Sequence, residues 1–243
     1  MSYRRAIDFV LQCVLPAGFV FAVVVQQPAR LPAQDAQAKK PPKAQRPKLL
    51  VREAWQQFPA GEQHPVTQAN VSNQNLELKL YGPSGKQLEI NGRGGDEEGP
   101  LHIWSGGCEN TWALAVRDKN GYMDLSGLAR VRWLVNIAGF HLNRPIVKLA
   151  DGTWLVGDHA DGLTAQWTES EFTLSAVRWR KLDIDQVVET RDGVWIEHPD
   201  LSRVEEFGFT DLMRGSGHGN GGHTDLAWFE IYGKSVPRNG KAE

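Results

Sequence analysis

Four groups of residues have types and spacing that could do chemistry. Arg130, Arg132 and Asn136, then Lys148, then Arg178 with Arg180, stand at alternate positions of short apolar segments. Residues two apart in an extended chain share a face, so adjacent strands would gather these into one basic, hydrogen-bonding surface. Guanidinium forks suit carboxylates, sulfates or vicinal hydroxyls, and Trp154 or Trp167 at the rim would stack on a sugar ring. The plain alternative is the solvated face that an antiparallel sheet keeps toward water. The second group is Gly215-Ser216-Gly217-His218-Gly219-Asn220-Gly221-Gly222-His223, a loop with few steric limits. His218, Asn220 and His223 suit a sugar-binding rim, since loops carry function more often than the elements they join. A metal there would need a third ligand, such as His141, Asp158 or His159, and the loop lacks the Gly-Lys-Ser/Thr of a phosphate cradle.

Asp96-Glu97-Glu98, beside Gly94-Gly95, form the third group. Hard oxygen donors suit calcium, although the spacing is not that of an EF-hand, and a solvated acidic loop is the alternative. The fourth is Asp158-His159-Ala160-Asp161 with His141, Arg144 and Glu205 elsewhere in the chain, a set able to move protons. Glycoside cleavage needs two carboxyls at a set separation, which order along a chain does not provide. Neither a Gly-x-Ser-x-Gly elbow nor a His-Glu-x-x-His zinc motif occurs.

These groups must be positioned by strands. From Leu76 onward the apolar period is two: Leu76, Leu78 and Leu80; Trp112, Leu114 and Val116; Val131, Trp133, Val135 and Ile137. The last segment, Leu226 to Ile231, is apolar on nearly both faces, as a central strand would be. Turn signals separate the segments: Pro83-Ser84-Gly85, Asn91-Gly92, Lys119-Asn120-Gly121, Asp151-Gly152, Asp161-Gly162 and Asp192-Gly193. About ten short strands without a long helix imply an all-β antiparallel sandwich or barrel. No fixed repeat is present, which excludes a propeller or solenoid.

The N-terminus reads differently. Arg4 and Arg5 precede an apolar run from Phe9 to Val25, and Ala36-Gln37-Ala38 offers a small-x-small cleavage pattern. That is the layout of a signal peptide over 1–38, with an uncleaved anchor as its rival. Residues 39–72 follow as a basic, Pro- and Gln-rich linker, and 73–238 as the sandwich. Residues 1–50 carry eight Lys or Arg against Asp8 and Asp35, which leaves 19 basic and 27 acidic residues for the remainder. An acidic domain excludes nucleic acid as the main partner, because phosphate binding needs a basic surface. Of the two cysteines, Cys13 and Cys108, only the second lies in the domain, so no disulfide can form within it. Cys108 is expected to be buried. Asn70-Val71-Ser72 matches a glycosylation sequon, a pattern frequent by chance.

Three stretches carry a family resemblance. Asp124-Leu125-Ser126-Gly127-Leu128-Ala129-Arg130-Val131-Arg132-Trp133 is similar to the entry into a central strand of carbohydrate-binding jelly rolls. Asp225-Leu226-Ala227-Trp228-Phe229-Glu230-Ile231-Tyr232-Gly233 resembles the closing strand of galactose-binding-like domains, and Leu149-Ala150-Asp151-Gly152-Thr153-Trp154 reads as a hairpin of the same kind. The resemblance spans Leu76 to Gly233 and implies a secreted jelly-roll β-sandwich, commonly a sugar-binding module. It also implies a structural calcium between an early loop and the last strand, which adds Glu230 to Asp96 and Glu98.

The ligand-binding set expected on these grounds is Arg132, Asn136, Arg144, Lys148, Trp154, Arg178, Arg180, His218, Asn220 and His223. The expected function is non-catalytic binding of a polysaccharide, with an anionic one favoured by the arginines. The expected setting is secreted, periplasmic or in the cell envelope, as a monomer that meets a membrane only through an uncleaved leader. A secreted glycan hydrolase or lyase and a structural or adhesion protein of the envelope are the alternatives.

Overall fold

The computed structural model describes residues 46–56, 64–92, 99–214 and 219–238. Asp96, Glu98, His218 and the leader therefore lie outside the described residues. Alternation becomes strand wherever the sequence shows it. The first eight strands are β1 (Lys48–Glu53), β2 (His64–Pro65), β3 (Leu76–Tyr81), β4 (Glu89–Asn91), β5 (His102–Trp104), β6 (Trp112–Asp118), β7 (Gly121–Asp124) and β8 (Arg130–Ala138). The rest are β9 (Arg144–Leu149), β10 (Trp154–Gly157), β11 (Thr168–Thr173), β12 (Trp179–Asp183), β13 (Val188–Glu189), β14 (Val204–Asp211) and β15 (His223–Pro237). The helical turns among the described residues are single 3-10 turns.

All the strand pairs are antiparallel. The first sheet runs β11, β8, β15, with β1 and β5 sharing the far edge of β15 and with β4 and β2 beyond β5. The second runs β3, β6, β14, β9, β10, β12, β13. β15 leaves the first sheet near Gly233, and its last residues pair with β7, which also meets β14 at Val204. Passing from one sheet to the other is how this strand ties the sandwich shut.

The core lies between the sheets. Val131, Trp133, Val135 and Ile137 of β8 meet Trp112, Leu114 and Val116 of β6 and Phe207 and Phe209 of β14, all at most 2% exposed. Trp112 and Phe209 pack edge to face at 5.8 Å, the arrangement ring quadrupoles favour. Cys108 is fully buried, and that burial pushes its thiol up to about 12. It is inert at neutral pH.

Two expectations are corrected. The sandwich does not begin at residue 73, because Lys48–Glu53, placed in the linker by composition, pairs with β15 from Phe229 to Gly233. Trp55 is 4% exposed and donates its indole N–H to the Leu226 carbonyl at 2.9 Å. The carboxylate of Glu53, fully buried, accepts from the amides of Trp55, Ser72 and Asn73 at 2.8–3.0 Å. The strand escaped notice because only Val51 and Glu53 of it point inward, and one of these is charged. The asparagine of the sequon is buried too: Asn70 is 1% exposed and its amide donates to the Gln56 carbonyl.

The second correction concerns the single basic face. β8 belongs to one sheet and β9 and β12 to the other. Arg132 and Asn136 therefore face away from the sandwich on one side, and Arg144, Lys148 and Arg180 on the opposite side. Alternation fixes which residues face outward; it carries no information on which sheet a strand joins.

Candidate functional site

The outward face of the second sheet brings four of the expected residues together: Arg144, Lys148, Trp154 and Arg180. Its middle is built from unusually small residues. Ala113 and Ala115 of β6 face outward, and Gly208 of β14 is paired with Ala115. A Cβ at Gly208 would fall 2.0 Å from the Leu114 carbonyl oxygen, so no other residue fits. Over this low floor Tyr81 of β3 and Trp154 of β10 meet edge to face, ring centroids 5.0 Å apart. These two strands are four apart in the sheet, about 19 Å if it were flat. Two side chains cannot span that distance, so the sheet must curl toward this face. It is concave.

The two rings cover a small apolar cluster of Ala113, Ala115, Ile146, Trp154, Val156, Leu182 and Val187. The turn between β12 and β13 closes it from one side. Val187 is fully buried there with φ of 49°, a conformation costly for a β-branched residue. It is held by the Thr111 hydroxyl, which donates to the Gln186 carbonyl at 2.6 Å. Gly82 gives it room, since a Cβ at that position would lie 2.5 Å from Val187 Cγ2.

Beside the rings lies a buried carboxylate. Glu206 is 2% exposed and accepts from the Tyr81 hydroxyl at 2.7 Å and from Lys148 Nζ at 3.0 Å. A charge so far from water persists only with such donors. Burial, then the bond to Glu206, raises the Tyr81 phenol far above its usual range, so it stays a donor. Burial would lower the Lys148 ammonium, but its bond to Glu206 and the charge of Glu205 outweigh it, and it stays cationic. Lys148 Nζ also stands 5.9 Å from the Trp154 ring centroid. Tyr81, Glu206, Lys148 and Trp154 thus form one aromatic and polar platform.

Charged pairs flank it at both ends. Arg117 reaches Glu77 at 3.2 Å and Glu205 at 3.3 Å. At the other end Arg144 and Arg180 bind the two oxygens of Glu189 at 2.8 and 2.6 Å. Arg178 bonds Asp158 at 2.8 Å, and Arg178 and Arg180 both lie over the Trp195 ring, at 4.5 and 4.0 Å.

The remaining expected residues sit elsewhere. Arg132, on the outward face of the first sheet, is bound to Glu169, to Glu230 at 3.2 Å and to the Tyr232 hydroxyl at 3.4 Å. Asn136 accepts from the Thr164 hydroxyl and pairs with Asp225. Asn220 is exposed on a 3-10 turn. His223 and His102 flank Asp225, their Nε2 atoms 3.3 and 3.7 Å from one carboxylate oxygen. Trp167 packs on His102 at 5.0 Å, not on the platform.

Glu230 does not fit the calcium role. Its oxygens are bonded by Arg52, Arg132 and the Tyr232 hydroxyl, and two guanidinium cations compete with a metal ion for the same lone pairs. Among the described residues no group of three His, Cys, Asp or Glu stands close enough to hold a metal.

The acid–base residues enter separate contacts. His141 is bonded to Asp211 in the interior, His159 stacks on Phe172 at 3.9 Å and stands 3.5 Å from Asp161, whose carboxylate also accepts from Trp133 and Ser170, and Asp158 is taken by Arg178. Tyr81, Glu206, Glu189 and Trp195 were missed by sequence reasoning. The signal for Tyr81 was its place opposite Leu76, Leu78 and Leu80. β14 gave none, because its two adjacent glutamates break the alternation at a bulge.

No protein-family model matches the chain, and no curated protein matches it. Solved structures do. One is a family 11 carbohydrate-binding module from Clostridium thermocellum in complex with a β-1,3-1,4-mixed-linked tetrasaccharide, with 12% identity and a TM-score of 0.43, over 71% of this chain and 96% of that one. Another is a family 61 module in complex with β-1,4-galactotriose, with 10% identity and a TM-score of 0.32, over 65% and 88%. The glycoside hydrolase domain of Endo-D from Streptococcus pneumoniae matches with 12% identity and a TM-score of 0.36, over 65% of this chain and 21% of that one. Nothing about the ligand of this chain follows from likenesses at that level.

Proposed function

We propose that the protein binds glycan on the concave face of its second sheet and does not cleave it. The observation that carries this is the Tyr81–Trp154 pair with Glu206 and Lys148 beside it. Sugar rings present apolar C–H faces and a rim of hydroxyls. The Tyr81–Trp154 ring pair matches the first, and the Lys148 ammonium group, partly exposed and fixed by the buried Glu206, matches the second. A concave face suits a chain of sugars better than a flat sheet would. Non-catalytic binding is favoured because Asp158, His141 and Glu205 are each held by a partner of their own, Arg178, Asp211 and Arg117.

The test is an array of neutral and anionic polysaccharides probed with the full chain, with and without EDTA. Two variants accompany it. Lys148→Met keeps the methylene stem over Trp154 and removes the ammonium group; Trp228→Ala removes an aromatic from the opposite sheet. The expected result is saturable binding without product, weakened about tenfold by Lys148→Met and untouched by Trp228→Ala. Binding lost only in Trp228→Ala would move the site to the first sheet. A calcium contribution through Asp96 and Glu98 is part of the proposal, and it fails if EDTA changes neither binding nor melting temperature.

A further inference from the structure

At one end of the concave face, the β12–β13 hairpin and the chain leaving β14 border an open cavity of about 490 Å³. Asp183, Gln186, Glu189, Thr190, Arg191 and Arg214 line it. Its arginines are not paired as those of the sheets are. Every arginine within a strand meets a carboxylate: Arg52 and Arg132 at Glu230, Arg117 at Glu77, Arg130 at Glu171, Arg144 and Arg180 at Glu189. Arg191 and Arg214 are exposed and have no hydrogen bond or ion pair among the described residues.

The two carboxylates of the lining are already committed. Glu189 holds Arg144 and Arg180, one on each oxygen. Burial would raise it, yet those bonds keep it below the usual carboxylate range. Asp183 accepts the backbone N–H groups of Asp185 at 3.0 Å and Gln186 at 3.2 Å. Four guanidinium groups thus stand around two carboxylates, and the two that remain uncommitted are cations. Arg180 also keeps its Nε–H buried without an acceptor.

We infer that this cavity is the end subsite of the concave face and takes an acidic group of the bound glycan, a carboxylate or a sulfate ester, on Arg191 and Arg214. The inference rests on the reading of that face as a glycan site. The Gln186 side chain supplies a donor and an acceptor for an adjoining hydroxyl. Planar guanidinium forks match either oxyanion. Because both arginines are exposed, their contribution must fall with ionic strength, while the stacking contribution of the platform does not.

Calorimetric titration of the full chain with a neutral galactan, a galacturonan and a sulfated galactan of matched length tests this. The partner experiment uses the double variant Arg191→Gln/Arg214→Gln, which touches no packed residue. The parent should bind an acidic ligand at least about tenfold more tightly than the neutral one. The variant should lose that preference and keep its affinity for neutral galactan. Raising salt from about 0.05 to 0.5 M should reproduce the effect of the variant. The galacturonan and sulfated arms distinguish carboxylate from sulfate. Equal binding of neutral and acidic ligands by the parent, or a preference that survives in the variant, overturns the inference and leaves the glycan reading intact. Failure of all three ligands to bind overturns both.

Discussion

Replacing Tyr81 by Phe removes one oxygen from the platform and leaves the ring where it packs on Trp154. The lost contact is a 2.7 Å hydrogen bond to a carboxylate that is 2% exposed. Bonds to charged groups contribute about 1.5–3 kcal/mol. Here Lys148 remains at 3.0 Å to hold the charge, so the lower end applies, about 1.5 kcal/mol. For a domain of this size that corresponds to a fall in melting temperature of about 3–6 °C. Neutralising the acceptor should reduce the effect. In a Glu206→Gln background the same substitution removes a bond between uncharged groups, worth about 0.5–1 kcal/mol. The coupling between the two sites is then about 0.5–1 kcal/mol, measurable by a double-mutant cycle in urea. Glycan affinity should follow the same pattern, since the phenol and the carboxylate would be fixed by each other before ligand arrives. Strictly additive effects on stability would refute the reasoning, because they would mean that Tyr81 and Glu206 do not share the bond that places them.

Three further outcomes are expected. Burial pushes the Asp225 carboxyl up to about 8 and lowers His102 and His223. A raised folded pKa gives stability that is present at low pH and lost as pH rises through the folded value. The unfolded chain ionises Asp225 from about pH 4, so its contribution to stability should fall as pH rises from there to about 8, read by denaturation as a gap between the parent and Asp225→Asn that changes over that range and levels off above it. Gly208→Ala should cost about 3 kcal/mol or more by forcing its Cβ into the Leu114 carbonyl, read as a lowered urea midpoint. A chain beginning at Asn73 lacks β1 and Trp55, and should melt more than about 10 °C lower than the full chain, because a buried Trp alone contributes about 3–5 kcal/mol.

Much of this architecture was legible in the sequence. The runs through β3, β6, β8 and β9, the turns at Asp151-Gly152 and Lys119-Asn120-Gly121, and the closing strand all lie where the period-two pattern puts them. What pattern alone withheld was non-local. Arg132 and Lys148 have the same local signature, a charge between two apolar residues, yet they occupy opposite outer faces because strand order is set by pairing. The arginines that looked available are mostly neutralised by glutamates far along the chain, such as Glu189 and Glu230. β1 was hidden by the Lys- and Pro-rich sequence before it, and its buried Glu53 reads as a surface residue until Ser72 and Asn73 are placed around it. The hairpin legible at Asp151-Gly152 is present, and its register sets Lys148 opposite Trp154.

The central claim is that glycan occupies the concave face of the second sheet. Titrating isotopically labelled protein with the best glycan of the array, and following backbone amides and indole N–H signals, tests it most directly. The account predicts shifts concentrated at Tyr81, Lys148, Glu206 and the Trp154 indole, extending to Arg191 and Arg214 with an acidic ligand. Shifts confined to Arg132, Asn136, Trp228 and their neighbours on β8 and β15 would contradict it.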